Sequence, residues 1–115
     1  MKGYLREVNI KDDLPSAGDA IRRITFHLRH GKELGAGAVK IIHGYGSTGA
    51  GGKIRSRARA YLEEQKKSGK IRDFIPGEQF SIFHDGTRQA FARCPELRQD
   101  RDLERHNNGM TIVVL

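Results

Sequence analysis

The residues whose types and spacing point to chemistry lie in Val39 to Ile54, VKIIHGYGSTGAGGKI. Strand-forming Val39, Lys40, Ile41 and Ile42 run into His43, Gly44, Tyr45 and Gly46, and a glycine tract then leads to a helical pattern beginning near Lys53. A strand that ends in glycines ahead of a helix gathers backbone N–H groups in a small volume, because glycine reaches positive φ and has no Cβ. Unpaired first-turn amides and the positive end of the helix favour an anion there. Lys53, Arg55, Arg57 and Arg59 follow at once, so polymeric phosphate is the anion that suits the pattern.

His43 is the acid–base candidate, since an imidazole exchanges protons near neutrality and binds phosphate when charged. A strand-end histidine bonded to its own glycine turn is the plainer alternative. Tyr45 is placed to stack on a base or to cover the sheet edge. Asp12 and Asp13 follow the first strand and, facing His43, would orient its ring or hold a divalent metal; as helix-entrance acids they would do neither. His84, Asp85 and His106 match no closed metal-ligand spacing. Gly44, Gly46 and Gly49 formally read as a dinucleotide-binding GxGxxG with Asp73 as the ribose acid, but the glycines continue through Gly51 and Gly52 and the helix begins late. A Walker A loop would need a glycine at position 47 and a hydroxyl at position 54, where the chain has Ser47 and Ile54.

The elements that must position these groups follow from periodicity. Tyr4 to Ile10 alternates as a strand with Val8 and Ile10 on one face and Asn9 on the other. Ser16 and Asp19 form a capping pattern near Pro15, and Ala17, Ile21, Ile24 and Leu28 predict a helix from about Ser16 to His30, stopped by Gly31. The central strand is expected over Ala38 to Ile42, and two strand–helix passages point to parallel pairing. Ile54, Ala58, Tyr61 and Leu62 give the second helix a core face. Ser68 to Lys70 turn the chain into a third strand at Ile71 to Ile75, ended by Pro76 and Gly77. Phe80, Ile82 and Phe83 are expected as a short apolar ribbon, Thr87 to Leu97 as a third helix, Arg98 to Arg105 as a surface excursion, and Met110 to Leu115 as a well-covered final strand.

With 115 residues, 37% of them hydrophobic and 30% charged, the chain fits one domain with one real core. The net charge is +7, and residues 53–72 carry eight of the 21 lysines and arginines against two acids. That local excess favours nucleic acid over acidic protein or anionic membrane, with a merely solvated helix face as the alternative. The single cysteine, Cys94, excludes an internal disulfide and a CxxC site. No apolar run reaches transmembrane length and Met1 to Ile10 has no signal-like core, so no membrane partner and a cytoplasmic location are expected.

The order strand, helix, strand ending HGYG, glycine-rich loop, helix, strand and terminal GMTIVVL strand resembles the Smr, or small MutS-related, domain. The likeness covers roughly Val8 to Ile75 and Gly109 to Leu115, and IIHGYGSTG carries it most specifically through the family's HGxG motif. It implies a compact two-layer α/β sandwich with a mixed, mainly four-stranded sheet and two principal helices, in a family of nucleic-acid-binding proteins and DNA- or RNA-nicking endonucleases. Here an inserted segment, about 79–108, precedes the last strand of a single domain, 1–115. The family's LDxH motif falls on Val8-Asn9-Ile10-Lys11, where Asn9 replaces the acid and Lys11 the histidine implicated in cleavage. Asn9 is no carboxylate base, and Lys11 is a phosphate contact before it is a proton acceptor.

The expected function is binding of the phosphate backbone of structured RNA or branched DNA through His43, Gly44, Tyr45, Gly46, Lys11, Lys53, Arg55 and Arg59, with no cofactor required. An endonuclease is the enzymatic alternative, with His43 as acid or base, Lys11 neutralising phosphoryl charge and Asp12 recovering the missing carboxylate to recruit Mg²⁺. The third reading is a protein-interaction module in which segment 79–108 meets a partner or a second copy, and it would be favoured by exposure of Phe80, Phe83 and Phe91.

Overall fold

Ser16 caps the first helix as its position predicts: its hydroxyl accepts from the Asp19 amide at 3.1 Å, and α1 runs over Ala17–Glu33. The computed structural model describes residues 3–12, 16–44 and 49–115. Ala20, Ile24 and Leu28 form the buried stripe of α1. Gly31 lies inside that helix rather than ending it, because its missing Cβ lets α1 approach the sheet; a methyl there would meet Val39 Cγ2 at 3.3 Å. The turn falls at Gly35, whose φ of +81° is the left-handed conformation that suits glycine.

Strand β1 is Tyr4–Asn9, β2 is Ala36–Ile42, β3 is Asp73–Pro76 and β4 is Met110–Val114. They form one mixed sheet of order β1-β2-β4-β3. Parallel pairing holds for β1 with β2 only; β4 runs antiparallel to both β2 and β3. Pro76 is tolerated because β3 is an edge strand and needs no donor on its outer side. Helix α2, Gly49–Lys67, begins ahead of the expected Lys53, and Ile54, Ala58 and Leu62 bury its inner face. The Tyr61 hydroxyl joins the two helices through a 2.7 Å hydrogen bond with Thr25.

Strand alternation divides the core. Val8, Val39, Ile41 and Val113 face α1 and α2, whereas Ala38, Ile75, Ile112 and Val114 face the other way. The chain between β3 and β4 covers that second face with Phe80, Phe91, Cys94 and Leu97. Helix α3 spans Asp85–Arg93, shorter than the expected Thr87 to Leu97, because Pro95 opens a separate 3₁₀ turn over Pro95–Gln99.

No ribbon forms at Phe80 to Phe83. The Glu104 carboxylate takes the Ile82 amide and the Ser81 hydroxyl, both at 2.7 Å, and the Phe83 amide bonds Ser81 Oγ at 3.1 Å, so local side-chain bonds consume the donors that a strand would use. Lys40 ties the covering segment to the sheet. Its side chain is 0% exposed, with Nζ 2.8 Å from Asp100 and 2.6 Å from Asp102. Burial pushes its pKa down, but the bonds to both aspartates outweigh this and hold it above the usual lysine value.

Candidate functional site

Parallel β1 and β2 end on one side of the sheet, where ligands of open α/β sheets collect. Pairing continues past β1 through Ile10 N–H to the Ile42 carbonyl at 3.0 Å, and the Asn9 side chain then accepts from the Lys11 amide at 2.9 Å. Arg23 of α1 donates to the Asp12 carbonyl at 2.9 Å and holds this exit in place. Lys11 and Asp12 are both exposed. Lys11 lies against the turn after β2: a methyl at Gly44, where φ is +86°, would sit 3.5 Å from Lys11 Cδ. Lys11 and the His43–Gly44 turn thus adjoin.

The His43 ring is 0% exposed and points into the layer between sheet and helices. Its Nδ1 lies 2.9 Å from the Gly44 carbonyl and its Nε2 lies 2.9 Å from Thr111 Oγ1. A carbonyl only accepts, so this geometry assigns the proton to Nδ1 and leaves Nε2 to accept from the Thr111 hydroxyl. Desolvation lowers the His43 pKa to about 4, the Arg59 and Arg55 charges push the same way, and the Gly44 carbonyl opposes them. The imidazole is therefore neutral at physiological pH and serves as a strut for its turn; proton exchange with a ligand would require it to be uncovered.

The turn's described amides are also committed. His43 N–H and Gly44 N–H both donate to the Gly109 carbonyl, at 3.0 and 2.9 Å, so the loop before β4 occupies the donors expected to face an anion. Tyr45 and Gly46 lie outside the described residues.

The cations in the first half of α2 differ in what they face. Arg59 reaches across to the sheet, where Nε approaches Thr111 Oγ1 at 3.5 Å and its two terminal nitrogens grip Glu78 at 2.9 and 2.7 Å. Lys53 and Arg57 are exposed and, with Ala17, Gly52 and Ser56, line a cleft of about 470 Å³ between the first turns of α1 and α2. Arg55, half-buried, lies close enough to His43 and Glu78 to act on both electrostatically.

The other sequence candidates disperse. His84 caps α3 by accepting from the Thr87 amide at 3.2 Å, and His106 bonds the Glu78 carbonyl at 3.2 Å. Asp73 pairs with Lys66 at 3.0 Å and stands opposite Val114, at the other end of the sheet from Ile42 and Met110, so it cannot serve a ribose at the glycine turn. Among the described residues no group of three or more His, Cys, Asp or Glu side chains is placed to hold a metal ion, and no helix is long and apolar enough to cross a membrane. Of the three phenylalanines that bear on a docking surface, Phe80 and Phe91 are buried and Phe83 is 84% exposed.

Sequence reasoning missed Thr111, Gly109 and Glu78, the partners that fix His43, its turn and Arg59. A lone hydroxyl in the apolar run Met110 to Leu115 was the available signal for Thr111; nothing local distinguishes Glu78. Comparison with protein-family models finds no match, and neither a curated protein nor a solved structure matches the chain.

Proposed function

We propose that this chain is an Smr-like α/β domain that binds the phosphate backbone of structured RNA or branched DNA. The observation that carries the reading is the meeting, at one end of the sheet, of Lys11 with the His43–Gly44 turn, beside an α2 whose first half carries Lys53, Arg55 and Arg57. The sign and spread of these groups suit a polyanion, and contacts of this kind set position without reading sequence. In this reading His43 contributes through the turn that it braces, while Lys11, Lys53, Arg55 and Arg57 supply the charge.

The endonuclease alternative keeps Asp12, exposed at the β1 exit one residue after Lys11, as its carboxylate. Both readings are tested together by titrating the protein into labelled single-stranded, duplex, hairpin and branched nucleic acids across a salt series, with and without Mg²⁺, reading retention and nicking. Retention that weakens steeply with salt and prefers structured or branched forms is expected. Absence of retention at low salt would end the proposal, and Mg²⁺-dependent nicking abolished by Asp12→Asn would promote the enzymatic reading.

A further inference from the structure

The Arg59 guanidinium is hydrogen-bonded along two of its edges, and it already holds an anion. One side of it is steadied by Thr111 Oγ1 of β4 at 3.5 Å and by the Asn108 carbonyl, in the turn before β4, at 3.4 Å. The adjacent edge presents both terminal nitrogens to the two oxygens of Glu78, at 2.9 and 2.7 Å, with Nη2 shared between the two edges. This fork geometry fits a carboxylate and a phosphate equally well. Glu78 sits in the 3₁₀ turn Gly77–Gln79 that leaves β3, and its side chain is 41% exposed while that of Arg59 is 21% exposed. The occupant of the fork is thus open to solvent and the fork itself is sheltered and braced.

The geometry points to Glu78 as a built-in competitor: its carboxylate fills the two-oxygen seat on Arg59 that a backbone phosphate takes when nucleic acid binds, and it leaves that seat on binding. This rests on the phosphate-binding reading above and adds a regulation to it. Burial raises the Glu78 pKa, but the Arg59 bonds and the Arg55 charge outweigh it, so the competitor is charged at neutral pH. In the wild type, Arg59 exchanges one anion for another and the released Glu78 gathers a counterion, so the contact adds little to net counterion release. Without the carboxylate the same contact releases a counterion in full, and the salt dependence steepens by about 0.9 in log–log slope. At about 0.1 M salt that increment corresponds to roughly eightfold tighter binding.

The test is a salt-series titration of wild type, Glu78→Gln, Glu78→Ala and the control Glu96→Gln against one structured RNA and one branched DNA, with thermal melts confirming that each variant folds. Both Glu78 variants are expected to bind several-fold tighter with the steeper slope, and adding Arg59→Gln to Glu78→Gln should return affinity and slope to near the wild-type values. Glu96 is exposed on the Pro95–Gln99 turn, so the control changes net charge equally and should shift affinity less than about twofold. Wild-type binding with Glu78 variants unchanged, or with Glu96→Gln matching them, overturns the competitor role alone. No binding by any folded variant at low salt overturns the phosphate-binding reading and this inference together.

Discussion

Acidification from about pH 7.5 to about pH 4 tests the burial of His43 through the stability of the fold. The folded protein keeps this ring neutral, with a pKa of about 4 against an ordinary value of 6.5. A depressed histidine pKa means that the unfolded chain takes the proton first. The contribution to stability is therefore complete above pH 6.5 and is lost as pH falls from there towards 4. From those two values the loss is about 2 kcal/mol at pH 5 and about 3 kcal/mol at pH 4, a large share of the stability of a small domain. Urea unfolding of wild type and His43→Gln at matched pH values isolates the effect, since other titrating groups cancel in the difference. The wild type should lose its advantage over the variant across that window, and the His43 ring resonances should stay in the neutral position down to about pH 5. A pH-independent difference, or a ring that titrates near 6.5, would refute the enclosed placement and reopen His43 as a proton-exchanging ligand.

Further expectations follow from single contacts. Lys40→Met strands the Asp100 and Asp102 carboxylates and should cost about 3–5 kcal/mol in urea unfolding, with much of the loss recovered in Lys40→Met/Asp100→Asn/Asp102→Asn. Gly77→Ala places a methyl 1.8 Å from the Asn107 carbonyl oxygen, so a loss of about 3 kcal/mol or more is expected by the same measurement. Cys94 is fully buried with its thiol pKa pushed up to about 11, chiefly by desolvation and then by Glu96, so a thiol reagent at neutral pH should label it only as fast as the protein opens. Lys11→Ala and Lys53→Ala should each weaken nucleic-acid binding evenly across sequences and flatten the salt dependence by about 0.9; loss confined to one sequence would contradict backbone recognition.

The amino-acid sequence by itself determined the order of the four strands and three α-helices, though not the absence of a ribbon at Phe80 to Phe83, because periodicity and caps act between residues a few positions apart. Ser16 with Asp19, the Ile54, Ala58 and Leu62 stripe, Pro76 as the last residue of β3 and the β-prone Met110 to Leu115 run all state local preferences that the fold honours. It also located the basic opening of α2 and the glycine turn beside it. Only the tertiary structure decided what those groups face. His43 turns inward because strand alternation puts it on the helix-covered face, where Thr111, 68 positions away, meets its ring. Lys40 looks out of place in an apolar strand until Asp100, 60 positions later, comes over the sheet to neutralise it. The Gly44 amide and the Arg59 fork look free in a linear reading and are taken by Gly109 and Glu78. These pairings join segments with no local relation, and they form because a buried donor or charge without a partner costs more than the chain entropy of bringing one to it.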